Sequence, residues 1–259
     1  MKLAVIGGGN WGTAVANHLA KVNSAFEVSM WVFEELVDGR KLTEIINTTH
    51  ENTKYLRGIY LTSNLIAFSS MSEVIFNADI IFSVVPHQFL RSVLKQIQMT
   101  GKLKKTAIVV SLTKGLNVRP EGPELLSALI KRELCLDTEV VVVSGANVAR
   151  EVANGDFVEA TVACRDRATA QAVVALFKSP TFSLQISSDV ATVEMLGALK
   201  NVVAMGAGFV DGMGKGCSSK AALLRQGIQE MKGFCQIYAK DSFQLETVLS
   251  SAGVAGNVT

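Results

Sequence analysis

Lys2-Leu3-Ala4-Val5-Ile6-Gly7-Gly8-Gly9-Asn10-Trp11-Gly12 runs a short apolar strand directly into the pattern Gly7-x-Gly9-x-x-Gly12, and helical spacing follows over residues 13–21. In a strand–turn–helix of this kind each glycine has its own task. Gly7 lets the chain turn tightly off the strand, Gly9 lets backbone approach a pyrophosphate, and Gly12 lets helix and strand pack closely. The N–H groups that open the helix then face phosphate oxygens. A glycine triplet alone also occurs in ordinary βα turns. The preceding strand and the following helix make this one a candidate dinucleotide-binding turn.

Further along the chain, strand-like apolar runs recur at residues 2–6, 27–32, 79–85, 106–112, 139–144, 158–163 and 182–186. Segments with helical spacing, such as 13–21, 87–97, 121–133 and 168–178, separate most of them. The alternation predicts a Rossmann-like, doubly wound α/β fold with a mostly parallel sheet. After Asp189 the character changes: residues 190–211, 218–239 and 242–250 read as helices, with Gly212-Met213-Gly214-Lys215-Gly216 as a turn. These patterns predict a nucleotide-binding domain over 1–188 and an all-helical domain over 189–259, packed directly together because no low-complexity linker intervenes.

Composition narrows the class. Of 259 residues 49% are hydrophobic, enough for a sizeable core, and a net charge of +2 supplies no basic field for nucleic acid. Cys135, Cys164, Cys217 and Cys235 lie far apart without a C-x-x-C pair, which points to free thiols and to no metal site. Met1 leads within two residues into the first strand, so no cleaved leader and a cytoplasmic location are expected. The membrane-like run Val190 to Val210 carries Glu194 and Lys200 near its middle, each costing about 2.5–3.5 kcal/mol at a bilayer centre. It therefore reads as a helix buried in protein.

Five unusual sequences fall at the carboxyl ends of predicted strands: Gly7–Gly12, Phe33-Glu34-Glu35, Val85-Pro86-His87-Gln88-Phe89, Ser111-Leu112-Thr113-Lys114-Gly115 and Gly145-Ala146-Asn147-Val148-Ala149. Ligands of open α/β sheets bind outside those ends, so the five loops point to one crevice. Phe33 either packs on an adenine or belongs to the core, and Glu34 either reads a ribose hydroxyl or is solvated; an acidic residue there favours NAD, while Arg40 and Lys41 leave NADP open. His87 is a candidate acid or base, or a turn residue after Pro86. Phe89 is a candidate wall of a nicotinamide pocket. Lys200 interrupts a very apolar helix, so its ammonium either reaches a polar pocket with a depressed pKa, suiting acid–base chemistry, or snorkels to solvent. Glu194, seven positions before Asn201, either orients that asparagine or forms an ion pair. Lys114 and Lys220 read as surface lysines, Lys114 with the added interest of a strand-end position.

Gly7-Gly8-Gly9-Asn10-Trp11-Gly12, Met30-Trp31-Val32-Phe33-Glu34-Glu35, Lys41-Leu42-Thr43-Glu44-Ile45-Ile46-Asn47, His50-Glu51-Asn52, Val84-Val85-Pro86-His87-Gln88-Phe89 and Ala198-Leu199-Lys200-Asn201-Val202-Val203-Ala204 together resemble the eukaryotic cytosolic NAD-dependent glycerol-3-phosphate dehydrogenases. The likeness runs from Met1 to Ala255. It implies hydride transfer between NADH and dihydroxyacetone phosphate, giving sn-glycerol 3-phosphate, and a homodimer. By matching motif it implies cofactor contacts at Gly7, Gly8, Gly9, Asn10, Trp11, Gly12, Phe33, Phe89 and Ala149. It also implies substrate-side roles for Lys114 and Asn147, and a catalytic role for Lys200.

Family members continue past Ala255 with an aspartate, a threonine-containing segment and a glycine-rich stretch bearing an arginine, where this sequence has Gly256-Asn257-Val258-Thr259. The resemblance is therefore to a C-terminally shortened member, whose helical domain is incomplete. Two rival readings follow from the same residues. One is a catalytically weak NAD-binding fragment that associates with full-length subunits, and the other is a dehydrogenase of a related β-hydroxyacid that reads a carboxylate in place of phosphate.

Overall fold

All four residues of the first strand, Leu3–Ile6, are buried. Leu3 and Val5 enter one core cluster while Ala4 and Ile6 enter another, because successive strand residues point to opposite faces. A strand apolar on both faces belongs in the middle of a parallel sheet covered by helices. Val28–Trp31 and Ile80–Ser83, its neighbours on either side, are likewise buried along their whole length.

The computed structural model describes residues 1–255, so the departure at Gly256 lies outside the described residues. The chain order is β1 (Leu3–Ile6), α1 (Asn10–Val22), β2 (Val28–Trp31), β3 (Leu36–Val37), β4 (Arg40–Lys41), α2 (Leu42–Thr49), β5 (Leu65–Phe68), α3 (Met71–Ile75), β6 (Ile80–Ser83) and α4 (His87–Thr100). It continues with β7 (Ile108–Ser111), β8 (Leu116–Arg119), β9 (Gly122–Leu125), α5 (Leu126–Leu134), β10 (Val141–Ala146), α6 (Ala149–Asn154), β11 (Val158–Ala163), α7 (Arg167–Phe177) and β12 (Phe182–Ser187). Helices α8 (Val190–Gly212), α9 (Cys217–Tyr238) and α10 (Leu245–Val248) follow, with a π-helical turn at Ser251–Ala255.

Eight strands form one sheet in the order β12-β11-β10-β7-β6-β1-β2-β5. From β1 the sheet grows outward through β2 to β5, then the chain crosses back and builds β6, β7 and β10 on the other side. Growth reverses between β1 and β6, and the glycine turn stands at this switch point. The predicted parallel character holds throughout except that β11 pairs antiparallel to β10, carrying β12 with it. α1, α6 and α7 cover one face and α3, α4 and α5 the other.

Three local expectations change. β5 completes the sheet edge where no strand was read. The predicted helix over 121–133 divides into β9 and α5, because Gly122 takes φ +131°, which a helix excludes, and Pro123 follows it. The hairpin of β8 and β9 puts Leu116 and Leu125 against the cluster formed by α8 and α9. The predicted helix over 242–250 shortens to α10 and then continues as the π-helical turn.

Asp189, fully buried, caps α8 by accepting from Thr192 N at 3.0 Å, and its other oxygen accepts from Gln244 N at 2.8 Å. It thereby ties the start of α8 to the segment leading into α10. α8 is long and apolar enough to cross a membrane, yet its first half is packed against protein and holds Glu194 and Lys200 there, each only 4% exposed. Farther along, Val202, Met205, Phe209 and Met213 face outward.

Candidate functional site

Gly7 has φ +123°, and an added Cβ would stand 2.6 Å from the Val84 carbonyl oxygen. A Cβ on Gly12 would stand 1.9 Å from the Gly7 carbonyl oxygen, and one on Gly8 2.7 Å from Val32 Cγ2. The protein's own backbone and packing therefore demand these three glycines. Gly9 differs: a Cβ there meets nothing within 4 Å, although Gly9 lines a cleft of about 770 Å³. The open space above Gly9 at the N-terminus of α1 is where a pyrophosphate fits, so these residues suit the cofactor that the sequence implies.

Fully buried Asn52 supports the turn from beneath. Its Nδ2 donates to the Gly8 carbonyl at 2.9 Å and to Thr13 Oγ1 at 2.8 Å, while its Oδ1 accepts from Tyr55 N at 3.1 Å. A buried amide with its partners satisfied fixes the backbone it touches. The glycine turn and the Tyr55 loop are thus one assembly.

The cleft gathers the five strand-end loops. Gly7, Gly8, Gly9, Asn10, Trp11 and Gly12 line it with Phe33, Phe89, Lys114, Asn147 and Ala149. His87 also lines it, its ring so close to Gly115 that a Cβ there would stand 2.9 Å from His87 Cγ. Lys200 stands behind this lining, with Nζ donating to the Gly145 carbonyl at 2.6 Å.

At the β2 end of the cleft Phe33 is 70% exposed, which removes it from the core. Glu34 is turned away from the cleft, its oxygens accepting from Thr43 Oγ1 at 2.6 Å and Thr43 N at 3.2 Å at the start of α2. Glu35, not Glu34, lines the cleft beside Tyr55. Glu35 accepts from Tyr55 Oη at 2.5 Å and pairs with Lys54 Nζ. The Lys54 bond and then the Tyr55 bond lower the Glu35 pKa, and Glu35 in turn raises that of Lys54. Arg40 is occupied by Glu44 at 2.8 Å.

At the opposite end, beyond β6, stand the loops after β7 and β10. Burial, with the nearby Lys114 charge second, lowers the Lys200 pKa to about 8. Burial lowers that of Lys114 as well. Asn147 Nδ2 donates to the Glu159 carbonyl at 2.9 Å, which fixes the amide plane while leaving its oxygen and second N–H to other partners. Lys200 does not snorkel: it is held inside, on backbone. Lys220 pairs with Asp211 at 2.7 Å on the surface.

Among the described residues Glu194 neither orients Asn201 nor forms an ion pair. Its carboxylate reaches across to the start of α5, accepting from Ser127 Oγ at 2.6 Å and Ser127 N at 3.1 Å, and burial raises its pKa to about 7. Asn201 is exposed, because α8 loses its covering near that point, with Val203 and Ala207 its only buried residues after Lys200. Sequence reasoning assigned no role to Thr13, Lys54 or Tyr55. Their contacts span long separations, and periodicity carries no signal of them.

A glycine turn that opens a helix at the switch point of a doubly wound sheet defines the class, the Rossmann-like α/β folds. The chain belongs to the NAD-dependent glycerol-3-phosphate dehydrogenase family of oxidoreductases, whose N-terminal model matches residues 2–170 and whose C-terminal model matches residues 189–259. It is 43% identical over 263 residues to the cytoplasmic glycerol-3-phosphate dehydrogenase [NAD(+)] of Homo sapiens, covering 100% of this chain and 74% of that one. It is 42% identical over 264 residues to the glycerol-3-phosphate dehydrogenase 1-like protein of Xenopus tropicalis, with the same coverage of 100% and 74%. Among solved structures, glycerol-3-phosphate dehydrogenase of Saccharomyces cerevisiae superposes with a TM-score of 0.89 at 40% identity, covering 100% of this chain and 76% of that one. That of Plasmodium falciparum gives 0.92 at 35%, covering 100% and 72%.

Proposed function

We propose that the chain binds NAD in the 770 Å³ cleft and catalyses reversible hydride transfer between NADH and dihydroxyacetone phosphate, giving sn-glycerol 3-phosphate. The observation that carries this reading is the Lys200 ammonium, buried on the Gly145 carbonyl within electrostatic reach of Lys114, across the glycine turn from Glu35. Gly7–Gly12 with Asn10 and Trp11 hold the pyrophosphate, Phe33 meets the adenine, and Phe89 and Ala149 border the nicotinamide. When bound, the nicotinamide supplies the hydride.

Reduction of the ketone puts negative charge on its oxygen. The Lys200 ammonium stabilises that charge and donates its proton to the oxygen; in the oxidation direction the neutral amine takes the hydroxyl proton. A pKa of about 8 serves both directions near neutrality. Lys114 supplies positive potential for the phosphate and Asn147 a neutral hydrogen bond that orients the substrate. In this reading residues 1–188 bind the dinucleotide, the segment from residue 189 carries the catalytic lysine, and the protein works as a cytoplasmic homodimer.

The test is NADH oxidation with dihydroxyacetone phosphate, run beside NADH binding and sedimentation on one sample. Oxidation dependent on dihydroxyacetone phosphate by a dimeric species is expected. NADH binding without oxidation would leave a binding protein and overturn the enzymatic reading, and a monomer would overturn the dimer.

A further inference from the structure

A cation beside the β2 end of the cleft is not free. Lys54 Nζ is paired with Glu35 and stands 5.2 Å from the centre of the Tyr55 ring, and Glu35 and Tyr55 both line the cleft. Tyr55 Oη donates to the second Glu35 oxygen at 2.5 Å, so the carboxylate is held from two sides. The loop that carries Lys54 and Tyr55 is anchored through Asn52 to the Gly8 carbonyl. This cluster therefore has a fixed place relative to the phosphate-binding turn.

The cluster stands where the second strand of such sheets reads the adenosine ribose. A free lysine at that position attracts a 2′-phosphate, whereas a carboxylate repels one and accepts from a ribose hydroxyl. We infer that Glu35 masks a latent 2′-phosphate site at Lys54, so that the Glu35–Lys54–Tyr55 cluster sets the preference for a dinucleotide without that phosphate. The inference rests on the cofactor reading above and deepens it. Glu34, the adjacent carboxylate, takes no part because Thr43 occupies it. Arg40, one of the two basic residues that leave NADP open in the sequence, is taken by Glu44 and Thr48.

The test is a fluorescence titration with NADH and NADPH of the unaltered chain, Glu35→Gln, and Glu35→Gln combined with Lys54→Met. Glutamine keeps the shape and one acceptor but leaves the ammonium charge uncompensated. Glu35→Gln should bind NADPH about tenfold more tightly while NADH binding weakens only a few-fold, the change expected of one new charge-assisted contact on an exposed group. The gain should shrink in high salt and vanish in the double variant. NADH binding by each variant reports that it is folded. If Glu35→Gln binds NADH but gains nothing for NADPH, or if the gain survives loss of Lys54, the masking is wrong while the cofactor site stands. An unaltered chain that binds neither dinucleotide overturns the cofactor reading, and this inference with it.

Discussion

The two ends of the cleft treat charge in opposite ways. At the β2 end Glu35, Lys54 and Tyr55 lie near solvent and satisfy one another. At the β7 and β10 end two lysines share a region where neither has a carboxylate partner among the described residues, and Lys200 leans on a backbone carbonyl. Paired surface charges change little with pH and act by attraction or repulsion of what arrives. Unpaired desolvated ammonium groups hold their protons loosely, as proton transfer near neutrality requires. In the function proposed above, one end chooses and the other reacts, with the glycine turn between them serving both.

The largest expected effect removes what the ends share. Gly9→Val should abolish binding of NADH and NADPH while the protein stays folded, because the new side chain enters open cleft and not the core. Retained affinity in a folded variant would make the turn purely structural. Next, Lys200→Ala should cost dihydroxyacetone phosphate reduction about 10²–10⁴-fold, the usual worth of general acid assistance, with NADH affinity nearly unchanged. Comparable losses of both, measured by steady-state kinetics and titration, would erase the division of labour.

A smaller effect concerns how the reacting end is fastened. The folded pKa of Glu194, about 7, lies above its ordinary value of 4.5. The folded state therefore holds this proton more tightly, and the stability it contributes, complete below the ordinary pKa, is lost as pH rises through the folded one. Glu194→Gln should flatten that slope, gaining roughly 2–3 kcal/mol relative to the unaltered chain between pH of about 5 and about 8, at ~1.36 kcal/mol per pKa unit. Denaturant titrations at both pH values decide it, and parallel slopes for the two proteins would count against a strained carboxylate. The smallest effect is at the choosing end: Glu34→Gln should leave the ratio of NADH to NADPH affinity within about twofold, since its partner is Thr43. A shift in that ratio as large as that expected for Glu35→Gln would return the reading role to Glu34.

What the sequence disclosed follows the same division. The glycine turn was legible because strand, turn and helix are contiguous, and each glycine's requirement is local. Lys200 was legible because a charge in so apolar a run has few places to go. Glu34 and Glu35 were not separable, since two adjacent carboxylates differ only in partners 9 and 20 residues away, Thr43 and Tyr55. Glu194 was misjudged because helical periodicity gives the side of α8 but not what covers that side, and the cover ends near Lys200. The antiparallel turn of β11 and the β8–β9 hairpin depend on tertiary packing that alternation of apolar runs does not encode.

The central claim is that Lys200 moves the proton, and the pH dependence of the two reaction directions tests it most directly. With the free-protein pKa at about 8, kcat/KM for dihydroxyacetone phosphate reduction should fall as pH rises through that value, because the ammonium is the acid. The value for sn-glycerol 3-phosphate oxidation should rise through the same region, because the amine is the base. Lys114→Met should move both inflections upward, since the charge that helps to depress the Lys200 pKa is gone. Profiles that bend in the same sense for both directions, or that keep their bends in Lys200→Ala, would contradict the account.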